Sequence, residues 1–338
     1  MLFIRESMLI FNNQLTGESV MINKTINIWK KEEYSYEGAY GFEPNLHAYV
    51  HEEASDDRAT IIIVPGGAYR YCSNSEGENV ALAFYEMNFD AFVLSYTCNP
   101  LLNHPIRNQA LNDISRAVRL VRQQTNGKVF VLGFSAGGHL CASLLVHRAD
   151  AIEPDLRLVD ISNKPDGAIL CYPVITSGEY SHFGSIQSLY GLEPNKEELE
   201  YSSLEKHVTS DCPPCFVWQT RTDAAVPVEN SYMFCEALKK AGVPFAQHVF
   251  SDGHHGLSLA NEQWARGDVG GEYTMDQIVK AKNAVDSGEV VVDDSVSEFV
   301  HGNDPILRAQ RKVESEEPTY PEIMIWPILV AVWIKETF

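Results

Sequence analysis

The sequence predicts an α/β fold: a mostly parallel central sheet with helices on both faces. Three observations carry this reading. Ala59-Thr60-Ile61-Ile62-Ile63-Val64 is an unbroken, largely β-branched run, the pattern of a central strand covered on both faces. Comparable apolar runs recur at 91–96, 128–132, 167–172 and 215–219. Between several of them lie segments with helical periodicity, and strands that alternate with helices in this way build a parallel sheet.

The elements follow in order. Residues 1–45 are mixed in character and read as an N-terminal arm with a first strand. Residues 45–50 alternate like a half-exposed strand. The 59–64 strand ends at Pro65-Gly66-Gly67-Ala68-Tyr69, a helix is expected over 80–87, and residues 91–96 form the next strand. An amphipathic helix over 106–124 carries Ile114, Ala117, Val118 and Val121 on one stripe. The strand at 128–132 leads through a glycine-rich turn to a buried helix at 139–147. After the strands at 167–172 and 215–219, a helix is expected over 230–241, with Gly242 as its C-cap. Residues 245–250 alternate like a strand nearer the sheet edge.

Two stretches lack clear periodicity. Residues 177–208 follow a strand and could roof the site as a cap. Residues 261–318 read as an acidic insertion, with 13 Asp/Glu against 6 Lys/Arg between Glu262 and Pro318. A short strand is expected there at 289–294, and a last helix at 321–337. The insertion reads as a solvated excursion, a lid or a contact in a homo-oligomer. The whole chain, 1–338, is read as one domain.

Composition narrows the function. The chain has 338 residues, 45% hydrophobic and 21% charged, with a net charge of −20. That balance argues against nucleic acid and anionic membrane as partners, since both require basic patches. Residues 1–8 carry a charge pair where a secretion signal would need apolar residues, and no run approaches a membrane span, so a cytoplasmic protein is expected. Seven cysteines at irregular spacing do not suggest a disulfide framework. Cys212-Pro213-Pro214-Cys215 leads into a strand rather than a helix and lacks further ligands at suitable spacing, so neither redox chemistry nor a metal is expected, and no cofactor.

The chemistry is concentrated at Gly133-Phe134-Ser135-Ala136-Gly137-Gly138. A G-x-S-x-G between a buried strand and a buried helix is the context of a nucleophile elbow, which projects the serine Oγ at the carboxyl end of the sheet. Serine needs a base, and the base needs an acid to hold its tautomer. Asp223 lies on the loop after the 215–219 strand. Its position suits the acid, although aspartate also suits a helix N-cap there. His254 and His255 lie in Ser251-Asp252-Gly253-His254-His255-Gly256-Leu257, directly after the next strand, and either could be the base. The order Ser, Asp, His along the chain is the one this type of sheet uses. Adjacent histidines point apart, so a zinc pair is not expected. The remaining histidines, with no motif around them, read as surface or satisfied core residues. An oxyanion would be met by the N–H of Ala136 and by amides of the Gly66-Gly67-Ala68 loop. Tyr69, Tyr71 and Tyr172 fall near the expected site mouth, where they could stack on a sugar or, equally, pack into the core or lie on the surface.

These residues resemble an α/β-hydrolase of the acetyl-esterase and xylan-esterase type, in the esterase/lipase group related to hormone-sensitive lipase. The matching stretches are Val64-Pro65-Gly66-Gly67-Ala68-Tyr69, Gly133 to His139, Cys171-Tyr172-Pro173-Val174, Trp218-Gln219-Thr220 with Asp223-Ala224-Ala225-Val226-Pro227, and His255-Gly256-Leu257. They span residues 60–260. The resemblance implies an α/β-hydrolase fold, Ser135 as nucleophile, His255 rather than His254 as base, Asp223 as orienter, and Gly67, Ala68 and Ala136 as oxyanion donors. It implies a small ester substrate with a short acyl group on a sugar. The usual His-Gly-Gly-Gly is Pro65-Gly66-Gly67-Ala68 here, as in the sugar-esterase branch. The usual Trp-His-Thr is Trp218-Gln219-Thr220, and Thr222 replaces one of two adjacent acids. An oligopeptidase or arylformamidase is the rival enzyme, and a binding protein on the same scaffold the rival without chemistry. The first lacks room for a propeller domain; the second would be expected to lose a triad member.

Overall fold

The computed structural model describes residues 20–305 and 318–338. Eight strands, β1 (Met21–Asn27), β2 (Asn45–His51), β3 (Thr60–Val64), β4 (Asp90–Ser95), β5 (Val129–Phe134), β6 (Gly167–Cys171), β7 (Cys215–Thr220) and β8 (Phe245–Phe250), form one sheet in the order β1-β2-β4-β3-β5-β6-β7-β8. β2 is antiparallel to β1 and β4; every other pairing is parallel.

Helices α1 (Glu78–Glu86), α2 (Gln109–Arg122), α3 (Ala136–His147) and α6 (Glu229–Ala241) cross between parallel strands, and α10 (Trp326–Thr337) ends the chain. α4 (Phe183–Tyr190) and α5 (Lys196–Tyr201) lie between β6 and β7, whereas α7 (Glu262–Ala265), α8 (Asp276–Asp286) and α9 (Asp294–Gly302) follow β8.

The unbroken apolar runs are explained by two cores, one on each face. Ile62, Val64, Val129 and Val131 point into the first, with α2, α3 and α6. Ile61, Ile63, Phe130, Leu132 and Phe134 point into the second, with α1 and α10. The α2 stripe of Ile114, Ala117, Val118 and Val121 is fully buried. Burying its three larger side chains, at about 1.5–3 kcal/mol each, supplies what isolated helix formation lacks.

Three expectations need correction. Residues 289–294 form no strand. Val291 is 92% exposed, and the Asp293 side chain accepts from Val296 N as the N-cap of α9. The last helix starts at Trp326 rather than at 321, because Pro327 has no N–H and fits only in the first helical turn. The two stretches without clear periodicity carry helices among their described residues, α4 and α5 in the first and α7, α8 and α9 in the second. The second has a core of its own, Leu101 with Met275, Ile278, Ala281, Val296 and Val300. A buried amide ties it to the sheet: Gln277 accepts from Cys98 N and donates to the carbonyls of Cys98 and Gly38. Residues 1–19 of the arm and 306–317 of the acidic insertion lie outside the described residues.

Candidate active site

The order of the chain across the sheet reverses about β3, which lies between β4 and β5, and a crevice opens there beyond the carboxyl ends of the strands. Ser135 sits at its floor, between β5 and α3, with φ 52° and ψ −117°. Such a backbone costs about 1–3 kcal/mol in a non-glycine residue and survives only where its surroundings fix it. Here Ser135 N donates to Cys171 O at 3.0 Å, while its carbonyl accepts from His139 N and Val174 N at 3.0 and 3.1 Å. Gly137 is required for packing: a Cβ there would drive into the backbone carbonyls of Val64 and Pro65.

His255 Nε2 lies 2.8 Å from Ser135 Oγ, and His255 Nδ1 lies 2.7 Å from Asp223 Oδ2. A carboxylate only accepts, so Nδ1 carries the imidazole proton and Nε2 is free to accept from the serine hydroxyl. The Asp223 side chain is wholly buried. Its other oxygen accepts from Ala225 N at 3.0 Å and Val226 N at 2.9 Å. That oxygen closes the turn after β7 rather than capping a helix, since α6 begins only at Glu229 with Val228 at its N-cap. His254 lines the same cavity, with its Nδ1 donating to the His255 carbonyl at 2.7 Å.

The Gly66-Gly67-Ala68 loop lies against the elbow: a Cβ on Gly66 would come within 2.9 Å of Ser135 Cβ. Gly67 and Ala68 both have positive φ, 124° and 57°. The N–H of Gly66 donates to Glu76 Oε2 at 2.7 Å. Those of Gly67 and Ala68 donate to no described protein acceptor, and Ala136 N opens α3, where no intrahelical acceptor exists. Three amides beside Ser135 are thus open to an anion, reinforced by the helix dipole.

The site opens into a cavity of about 950 Å³. Ser135, His255, Gly67 and Ala68 line it together with Trp264, Asp268, Phe299 and Asn303, from the 261–318 segment. That segment borders the site rather than extending away from it. His182, from the 177–208 stretch, also faces the cavity, and its imidazole is held below its ordinary value by burial and by His255. Among the tyrosines only Tyr71 lines the cavity. Tyr69 is buried against His139 and Tyr172 against Glu76, at 2.9 and 2.7 Å, so both are core residues. Sequence reasoning missed Glu76, His182, Trp264 and Phe299. No local motif marks them; only the fold brings them to the crevice. Among the described residues no three His, Cys, Asp or Glu side chains converge as a metal-ligand set, and no helix is long and apolar enough to cross a membrane.

The chain is similar to several known proteins. The prolyl oligopeptidase family profile matches residues 106–267. An endo-1,4-β-xylanase B of Butyrivibrio fibrisolvens is 48% identical over 267 residues, which cover 77% of this chain and 42% of that protein. An acetylxylan esterase of Xylanibacter ruminicola is 28% identical over 214 residues, 59% of this chain and 41% of that protein. The chain thus spans less than half the length of these two relatives. The crystal structure of an acetyl ester-xyloside bifunctional hydrolase from Caldicellulosiruptor lactoaceticus superposes with a TM-score of 0.64 at 34% identity, over 81% of this chain and 100% of that one. The chain belongs to the α/β-hydrolase esterase/lipase family, among its acetyl-esterase and xylan-esterase-like members.

Proposed function

We propose that the protein is a serine carboxylic-ester hydrolase that removes acetyl groups from sugars or xylo-oligosaccharides. The observation that carries the reading is the unbroken relay from Ser135 Oγ through the His255 imidazole to Asp223, at 2.8 and 2.7 Å. Ser135 Oγ attacks the ester carbonyl while its proton passes to His255 Nε2, and the resulting imidazolium is stabilised by Asp223. The tetrahedral oxyanion accepts from the N–H groups of Gly67, Ala68 and Ala136. Collapse expels the alcohol, which takes the proton from His255, and leaves an acyl-Ser135. Water, deprotonated by His255, then releases the acid and restores the serine.

Relatives named for acetyl esters and xylan support the acetyl-sugar assignment. A cytoplasmic location would suit imported oligosaccharides better than polymer. A second reading, an oligopeptidase, is favoured by one finding, the prolyl oligopeptidase family match. The two separate on a panel of p-nitrophenyl acetate, butyrate and octanoate, acetylated xylobiose and an aminoacyl-nitroanilide, each assayed with wild type and Ser135→Ala. Acetate and acetylated xylobiose turnover that disappears in Ser135→Ala supports the esterase. Nitroanilide cleavage without ester turnover supports the peptidase.

A further inference from the structure

We infer that Glu76 is a positioning residue: its buried carboxyl locks the loop that carries the oxyanion donors to the loop that carries His255. The inference rests on the esterase reading of Ser135. Glu76 is only 4% exposed and sits between the two loops. One oxygen accepts from Gly66 N at 2.7 Å, the amide directly before Gly67 and Ala68. The other accepts from the Tyr172 hydroxyl at 2.7 Å. That hydroxyl in turn accepts from Ser258 N at 3.0 Å, three residues after His255. The Tyr172 ring also meets the His255 imidazole edge-on, with centroids 5.0 Å apart. Burial and the neighbouring Glu76 carboxyl hold the phenol well above its ordinary value, so its proton stays in place and points to Glu76.

The stereochemistry explains why this link should govern rate. Gly66 has one N–H. With that N–H fixed on Glu76, the peptide that follows is held in the turn from which Gly67 and Ala68 leave their own N–H groups free. On the other side, Tyr172 fixes the backbone of the His255 loop and one face of the imidazole. Both carboxylate oxygens are engaged within the protein, so the bridge acts on the loop that meets the oxyanion rather than on the ground-state ester. Its loss should therefore lower kcat with little effect on KM.

The test compares Glu76→Ala, Glu76→Gln, Tyr172→Phe and Ser135→Ala on p-nitrophenyl acetate, with melting curves to fix a temperature at which each is folded. In Glu76→Ala, kcat is expected to fall by about thirtyfold or more with KM within about threefold of wild type. Glu76→Gln should recover part of the loss. Its amide oxygen can still accept from Gly66 N, but its NH2 then faces the Tyr172 oxygen and strands the phenol proton. Folded Glu76→Ala with kcat within about threefold of wild type, or a loss confined to KM, overturns the inference. If Glu76→Ala does not fold, unchanged kcat in both Glu76→Gln and Tyr172→Phe overturns it. Turnover that survives in Ser135→Ala refutes the esterase reading itself, and the inference with it, whatever the Glu76 variants do.

Discussion

Replacing Asp223 with asparagine should separate the aspartate's two duties, because its two oxygens serve different partners. Oδ1 accepts from the N–H groups of Ala225 and Val226, whereas Oδ2 accepts from His255 Nδ1. An asparagine keeps its amide oxygen on the two backbone donors. Turning it over would set an NH2 against two N–H groups, at about 1–3 kcal/mol for each donor left unsatisfied. The NH2 therefore faces His255 Nδ1, which becomes an acceptor. The imidazole proton moves to Nε2, the nitrogen 2.8 Å from Ser135 Oγ, and the serine loses its base. Loss of the correct tautomer in such a triad lowers kcat by about 10³–10⁴, equivalent to about 4–5.5 kcal/mol. Both backbone bonds survive, so the melting temperature should change little. The assay is kcat/KM for p-nitrophenyl acetate beside a thermal melt. An Asp223→Asn enzyme that keeps more than about a tenth of wild-type kcat/KM would refute the tautomer argument.

Three further outcomes are expected. His255→Asn should lower kcat/KM on p-nitrophenyl acetate by about 10³-fold or more, whereas His254→Asn should stay within about tenfold; the reverse order would transfer the base to His254. Gly137→Ala should destabilise the protein by about 3 kcal/mol or more, because its Cβ meets backbone carbonyls that cannot yield; urea titration of wild type and variant measures this, and an unchanged midpoint would contradict the packing account. Burial, helped by the neighbouring His147, pushes the His139 imidazole down to about 4 from 6.5, although its Nε2 donates to the Ser202 carbonyl, a bond that favours the charged form. The unfolded chain then binds the extra proton between those values, so stability falls as pH drops from 6.5 towards 4, by about 2 kcal/mol at pH 5. Urea midpoints at pH 7.5 and 5 should fall less in His139→Gln than in wild type; equal falls would remove His139 as the cause.

The meeting of Ser135, His255 and Asp223 was legible because each lies just after a strand, and the strands announce themselves as unbroken apolar runs. Ser135 follows β5, Asp223 follows β7 and His255 follows β8. A parallel sheet delivers those three positions to one edge, so a one-dimensional pattern suffices. Glu76 was not legible for the opposite reason. It lies in a short turn before α1, and its partners Gly66 and Tyr172 are 10 and 96 residues away along the chain. The 289–294 stretch misled because Val290-Val291-Val292 has strand propensity, yet it joins none of the eight strands of the sheet and Asp293 caps a helix instead. For Tyr69 and Tyr172 the sequence left sugar stacking and packing both open. Their place after strands suggested the site mouth, but each hydroxyl has a buried partner that turns the ring inward.

The central claim is that Ser135 is acylated during turnover. Rapid mixing with p-nitrophenyl acetate, acid quench and peptide mass mapping tests it most directly. The account predicts a p-nitrophenol burst that approaches one equivalent and an acetyl group on the peptide carrying Ser135, both absent in Ser135→Ala. Steady turnover with no adduct on that peptide, persisting in Ser135→Ala, would contradict it.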